Sequence, residues 1–249
     1  MNIHPTSIVE DGVTLGADVT VLPGAVLRRG TELGDRVMVH PYAVIGGEPQ
    51  DLRFVATTVS GVRIGAGSTV REFVTINRAT KPNEATTVGE NCFLMAAAHL
   101  AHDVRIGKNV VLANNVLLAG HVQVADNVFF GGGAAVHQYC RIGEGAMVAG
   151  LARITVDVAP FTMVAERDEI IGLNVVGLKR RGLPRETMRE LKEAFRTVFF
   201  TPGNIRTVAA TALPHAQAAE TKMFLEFFAW GKRGFARPRR EKAESGDTE

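Results

Sequence analysis

The sequence predicts a mainly β chain, a left-handed parallel β-helix of hexapeptide repeats followed by a C-terminal α-helical domain. Three observations predict it. Every sixth residue from Val88 to Ile154 is aliphatic or, once, aromatic: Val88, Leu94, Leu100, Ile106, Leu112, Leu118, Val124, Phe130, Val136, Ile142, Val148 and Ile154. Four residues after each of these comes a small or β-branched residue, from Cys92 and Ala98 through to Ala152 and Val158. Beyond Pro160 this beat stops, and apolar residues recur at helical spacing instead. A unit with two inward positions in six cannot bury itself alone and must stack on copies of itself.

Three hexapeptides, each a short strand plus a turn, close one coil of a three-walled prism. The beat starts at Val9 and runs through Leu15, Val21, Leu27, Leu33, Val39 and Ile45 before it breaks. That break, 46–60, contains Glu48-Pro49-Gln50-Asp51-Leu52-Arg53-Phe54. The beat resumes at Ile64, Val70 and Ile76, and a second break near 80–87 contains Lys81-Pro82-Asn83-Glu84. Insertions in a solenoid are loops pushed out of the wall, and they usually mark the functional face. The regular turns, such as Gly107-Lys108-Asn109, Ala125-Asp126-Asn127 and Gly143-Glu144-Gly145, use residues that accept positive φ or bond to nearby backbone. The solenoid is expected over 1–165 and the helical domain over 166–249. A helix is expected to open at Pro184-Arg185-Glu186, with Met188, Leu191, Ala194, Phe195, Val198 and Phe199 on one face. A second follows Pro202-Gly203-Asn204 and a third runs near 216–230. From Lys232 onward, with Arg237, Arg239, Arg240, Glu241 and Lys242, the chain reads as a frayed charged tail without a function.

Composition bounds the function. A chain of 249 residues with 46% hydrophobic residues suits one solenoid plus an appendage, and a net charge of +2 offers no general nucleic-acid footprint. Cys92 and Cys140 fall on the small inward position, so they read as core packing rather than a disulfide or metal pair, as in a reducing compartment. No apolar run is long enough to span a bilayer, and a soluble, cytoplasmic protein without membrane insertion is expected.

In a solenoid, chemistry shows as residues that break the bland outward pattern, and here the histidines do so. His102, His121 and His137 follow one another at 19 and 16 positions, close to the eighteen-residue coil, so they gather at one edge about 5 Å apart per coil. His99 approaches the same corner. A turn histidine is most often only solvated, but three in register with Asp103 beside them form the arrangement a general base needs: a carboxylate that fixes the tautomer and raises basicity. Gly120 lies one coil on, where its N–H could approach a reacting carbonyl unobstructed. Clustered histidines also suit zinc. The β-helix enzymes resembling γ-class carbonic anhydrases carry a close pair separated by four residues, and no such pair occurs here, so no metal is expected.

Further stretches carry a specific resemblance. Ala98-His99-Leu100-Ala101-His102-Asp103, Leu112-Ala113-Asn114-Asn115, Leu118-Ala119-Gly120-His121-Val122, Ala135-Val136-His137-Gln138-Tyr139-Cys140 and Gly177-Leu178-Lys179-Arg180-Arg181-Gly182 resemble the UDP-N-acetylglucosamine acyltransferases that open lipid A synthesis. His4-Pro5-Thr6, Gln50-Asp51-Leu52 and Val74-Thr75-Ile76 with Arg78 add to the resemblance, which runs from about His4 to the last helix. It implies transfer of an (R)-3-hydroxyacyl group from acyl carrier protein to the glucosamine 3-position of UDP-N-acetylglucosamine, by a homotrimer with sites between subunits. No cofactor is implied beyond the phosphopantetheine of the carrier protein. By that resemblance His102 is the general base, Asp103 orients it and Gly120 N–H holds the oxyanion. His99, His121, His137, Gln138, Asp51 and Arg53 would line the groove. Asn174, Arg180 and Arg181 would hold the uridine diphosphate, since a guanidinium fork suits phosphate oxygens. Gly150 matches the position that helps set acyl-chain length. Val176 and Asn77 depart from the family pattern, where an acidic residue and a histidine are frequent. A 3-amino sugar acceptor giving an amide, or another hexapeptide sugar acyltransferase, stays open as an alternative.

Overall fold

The structure, a computed structural model, describes residues 1–239. Short strands, all but one pairing parallel and most of two residues, stack into three walls of 11, 8 and 7 strands, the left-handed β-helix that the beat demands. The first wall begins with Asn2–Ile3, the second with Ile8–Val9 and the third with Thr14–Leu15. Large side chains of the beat, Leu94, Leu100, Leu112, Leu118 and Ile142, fill the prism, and Ala98, Val104, Val110 and Val116 sit buried at the corners. Ile3 and Val9 keep the inward pattern yet stay exposed, because no coil lies beneath the first one.

The two breaks are where register slips. Partners on the first wall step by 18 residues from Phe93 to Val111 to Phe129. The step grows to 31 between Met38 and Thr69 and to 24 between Thr69 and Phe93, because one inserted loop falls in each interval. Both loops leave where the second wall turns into the third, after Val44–Gly47 and after Thr75–Asn77. The turns at 101–104, 119–122 and 137–140 occupy that same corner higher up the prism.

Beyond Pro160 the structure differs from the sequence expectation. Thr162–Ala165 still adds a parallel strand to the first wall beside Met147–Val148, and Glu169–Leu173 returns antiparallel to it. This hairpin has no hexapeptide partner positions, so the beat could not show it. Among the described residues four α-helices follow. Helix α1, Val175–Arg180, was too short to show a period; the Asn174 side chain caps it by accepting from Gly177 N at 3.0 Å. Helix α2, Arg185–Phe200, buries Leu191, Ala194, Phe195 and Val198, the face that its spacing predicts. Helix α3, Ile205–Ala212, is capped by Asn204, and helix α4, Ala219–Glu226, is shorter than expected because Phe227–Ala229 tightens into a 3₁₀ turn. Phe195, Phe199, Phe224, Phe228 and Phe235 pack ring against ring between these elements.

Arg141 ties the helical domain to the solenoid. Buried on the third wall, it pairs with the fully buried Asp157 at 2.8 Å. Its guanidinium lies 4.2 Å from the Phe227 ring centroid and 3.8 Å from that of Trp230, and it donates to the carbonyls of both residues. The expectation of a frayed tail from Lys232 is wrong as far as the structure runs. Ala236 N donates to Asp157 O, Asp157 N donates to Gly234 O, and Arg237–Pro238 pairs with the strand at Glu169–Ile170. Arg240, Glu241 and Lys242 lie outside the described residues. Cys92 and Cys140 are both free and buried, and burial pushes the Cys140 thiol up to about 12.

Candidate active site

Asp103 organises the corner. It adopts the left-handed region at φ 60°, which Asp tolerates better than most residues, and this turns its carboxylate back along the edge. Oδ2 takes a hydrogen bond from His102 Nδ1 at 2.8 Å and from the Thr80 hydroxyl at 2.7 Å, while Oδ1 accepts from Thr80 N at 3.1 Å. Its own N–H donates to Thr86 Oγ1. Burial pushes the carboxyl up, but the hydrogen bonds from Thr80 and His102 outweigh it, and the group rests below the usual carboxylate range. Asp103 is therefore the ionised acceptor that holds His102 with a proton on Nδ1 and a lone pair on Nε2.

Gly120 lies against that Nε2 edge. A Cβ there would come within 2.6 Å of His102 Cε1 and 2.8 Å of Nε2, so any side chain would displace the imidazole. Gly120 N–H makes no hydrogen bond among the described residues and is available to a ligand. His121 stands edge-on to His102, ring centroids 5.2 Å apart, with Nε2 3.6 Å from Asp103 Oδ2. Tyr139, the next residue up this left-handed column at φ 65°, stacks on His121 at 4.5 Å. Burial pushes both His121 and His99 below the usual imidazole value, which favours their neutral forms.

A groove of about 530 Å³ runs up the second wall from this corner, lined by Gln50, His99, His102, Gly120, His137 and Gln138 among others. His99 hydrogen-bonds Thr75 through Nδ1 at 2.7 Å. The first inserted loop folds up to the corner. The Asp51 carboxyl is held low chiefly by hydrogen bonds from the Arg53 N–H and guanidinium. Arg53 itself is almost fully exposed. Donor atoms of His102, Asp103 and His121 lie within 4.8 Å of one another, a separation that a metal could also use. The 2.8 Å His102–Asp103 distance and the Thr80 bonds to both carboxylate oxygens are what a proton-bearing pair requires.

Four expected residues stand apart from this corner within one chain. Asn174 caps α1 and donates to Gly145 O, and Arg181 pairs with Glu144 at 2.5 Å, both at the corner between the third and first walls. Arg180 neighbours them, exposed, at the end of α1. Gly150 packs on Gly131 and Gly132 at the corner between the first and second walls. Sequence reasoning missed Thr80, Thr86 and Arg233. Arg233 donates to His137 Nδ1 at 2.9 Å from the segment after the last helix, and no motif around it marked it.

With this geometry in hand, comparison with known proteins identifies the family. The family model described as Udp N-acetylglucosamine O-acyltransferase, Domain 2, matches residues 157–236, and the bacterial transferase hexapeptide model matches 12–47 and 85–120. Acyl-(acyl-carrier-protein)–UDP-N-acetylglucosamine O-acyltransferase of Campylobacter lari is 38% identical over 252 residues, covering 93% of this chain and 95% of its own. The protein of the same name from Sinorhizobium fredii is 40% identical over 228 residues, 84% of each chain. Among solved structures, UDP-N-acetylglucosamine acyltransferase from Campylobacter jejuni superposes with a TM-score of 0.86 at 34% identity, covering 96% of this chain and all of that one.

Proposed function

The chain belongs to the UDP-N-acetylglucosamine O-acyltransferase family, and from that premise we propose how its corner performs the reaction. The protein is an acyltransferase that uses acyl carrier protein as donor and UDP-N-acetylglucosamine as acceptor. The acyl group is an (R)-3-hydroxyacyl chain and the reacting group is the glucosamine 3-hydroxyl, in the first step of lipid A biosynthesis. His102 Nε2 removes the hydroxyl proton as the oxygen attacks the thioester carbonyl carbon. The carbonyl oxygen becomes an oxyanion facing Gly120 N–H. When the tetrahedral intermediate collapses, the C–S bond breaks and the leaving phosphopantetheine sulfur takes the proton from His102. Asp103 stabilises the transient imidazolium. The single observation that carries this reading is the Asp103–His102 pair at 2.8 Å with Gly120 against its open edge. The phosphopantetheine arrives on the donor, and the chain's own residues supply the rest of the chemistry.

Asn174, Arg180, Arg181 and Gly150 join the groove only if another copy of the chain supplies them, which supports a homotrimer with sites between subunits. Arg180 and Arg181 then grip the diphosphate, and Gly150 leaves room for a long acyl chain. The exposed Arg185 and Arg189 on α2 offer positive charge to an acidic carrier protein. Among the described residues no helix is long and apolar enough to cross a membrane, and a cytoplasmic site of action fits soluble substrates of this kind.

The test is acyl transfer from a panel of (R)-3-hydroxyacyl carrier proteins to UDP-N-acetylglucosamine and to its 3-amino analogue, for wild type and His102→Ala. The substitution is expected to lower kcat by about 10²–10⁴-fold. A variant that retains wild-type turnover would remove His102 from the base role, and amide formation on the 3-amino analogue alone would correct the acceptor.

A further inference from the structure

We propose that Arg233 is a positioning residue that fixes the tautomer of His137 and so turns His137 Nε2–H into a permanent hydrogen-bond donor facing the groove. The argument starts from what each group is able to do. A guanidinium has donors and no acceptor, so at 2.9 Å from Arg233 Nη2 the His137 Nδ1 must hold a lone pair. Among the described residues the only competitor at that nitrogen is the carbonyl of Gln138 at 3.3 Å, which would call for the opposite tautomer, a proton on Nδ1. The Arg233 bond is shorter and charge-assisted, and an Nδ1–H would point at the guanidinium's own N–H. The ring proton therefore belongs on Nε2. His137 is exposed, lines the groove, and its Nε2 has no partner among the described residues. A substrate oxygen that accepts there meets a donor already oriented.

Arg233 is built into place. Arg141 Nη2 donates to Trp230 O and Arg206 Nη2 to Gly231 O on its upstream side. Downstream, Gly234 O accepts from Asp157 N and Ala236 N donates to Asp157 O. Its own Nε donates to Thr155 O at 3.3 Å, so the side chain spans two residues that line the groove, Thr155 and His137. Gly231, at φ 133°, lets the segment pass where a Cβ would come within 2.4 Å of Asp157 Oδ2 and 2.6 Å of Arg141 Nη2. The same buried Arg141–Asp157 pair that docks the helical domain thus also positions a residue at the groove.

The experiment is nitrogen-15 NMR on the full chain labelled at histidine, with His137→Gln to assign the signal, alongside steady-state kinetics. Wild type is expected to show His137 with a pyridine-like Nδ1 and a protonated Nε2. In Arg233→Met the proton is expected to move to Nδ1, toward Gln138 O, and KM for one of the two substrates to rise about tenfold with kcat nearly unchanged, the loss of about one hydrogen bond. Arg233→Lys keeps a donor and is expected to keep the tautomer; it also serves if the methionine variant folds poorly. In a His137→Gln background, whose amide offers a donor regardless of tautomer, Arg233→Met is expected to add little to KM. An unchanged tautomer in Arg233→Met overturns the proposal, as does a switched tautomer with both KM values unaltered. The kinetic half rests on the acyltransferase reading and the NMR half does not, so a wild type inactive toward both acceptors would sink that reading while leaving the tautomer test intact.

Discussion

Asp103, His121 and Tyr139 occupy the same place on successive coils, and all three hold left-handed backbone at φ 60°, 62° and 65°. For a residue as large as Tyr139 this conformation costs about 1–2 kcal/mol, and it recurs at turns of the other corners, Arg36, Tyr42 and Leu151 among them, so it belongs to the coil itself; at this edge it brings Asp103 and His121 to His102 and Tyr139 to His121. Part of this was legible. Spacing near eighteen placed His102, His121 and His137 together, and a carboxylate next to His102 suggested its partner. Thr80, which holds both oxygens of that carboxylate, was not legible because it lies in an inserted loop whose register no count from the regular coils could supply. The buried groups here make stability depend on pH in two stages. His99 and His121 have lowered values, so below about pH 6.5 the unfolded chain binds protons that the folded chain resists. Their burial costs nothing above that pH, and stability falls as pH drops through it. Asp103 is also lowered, so its contribution is complete above about pH 4 and disappears as pH falls through its folded value. The melting temperature is expected to hold level above pH 7, decline from about 6.5, and decline again below about 4. His99→Gln should shrink the first decline; calorimetry showing an identical decline in that variant would mean that His99 burial carries no proton penalty.

At the scale of elements, the break at 46–60 announced a loop, and the period over 185–200 announced α2, because both are statements about spacing. What the loop does once it leaves the wall is set by Arg78, whose partners are mostly backbone and leave no mark in a sequence. Its guanidinium donates to Thr58 O at 2.7 Å and Ala56 O at 3.0 Å, reaches Glu48 at 3.4 Å, and lies 4.9 Å from the centroid of the Phe54 ring. The two inserted loops also bond each other, Asn83 N donating to Val59 O at 2.8 Å and Ser60 Oγ to Ala79 O at 2.5 Å. This clasp holds the stem of the segment that carries Gln50 and Asp51 to the histidine corner. Removing it leaves the solenoid core untouched, so Arg78→Ala is expected to lower global stability by about 1 kcal/mol, the range for a part-buried hydrogen-bonding group outside the core. The loop itself is expected to open. Amides of residues 50–60 should exchange several-fold faster while those of the walls keep their protection, and the KM of the acyl-transfer reaction should rise more than kcat falls. Unchanged exchange in the loop would show that Phe54 and the inter-loop bonds suffice without the arginine.

For the whole molecule, the arrangement of corners is the telling feature. The prism has three, and the residues proposed to serve one reaction are spread over all of them: the histidines where the second wall meets the third, Asn174 and Arg181 where the third meets the first, Gly150 where the first meets the second. A linear reading could list these residues through family motifs but could not see that one chain keeps them apart, since separation around a prism is invisible until the walls are closed. The first wall runs between the two corners away from His102, and its outward positions step up in register through Phe93, Val111, Phe129 and Met147, an apolar ladder with Phe129 40% exposed. To bring Asn174, Arg181 and Gly150 to another copy's groove, this wall must turn toward that copy. Contact of this kind joins unlike surfaces, and in the proposed homotrimer it would close into a ring and give each groove a neighbour. Phe129→Glu puts a charge in the middle of the ladder without touching the prism interior or any groove residue. Sedimentation is expected to give about three times the 26.8 kDa chain mass for wild type and the single-chain mass for the variant. The variant should keep its melting behaviour apart from the loss of assembly and yet lose acyl transfer. A monomeric Phe129→Glu protein with full activity would show that one chain's groove is complete, and that Asn174, Arg180, Arg181 and Gly150 serve the fold rather than the substrate.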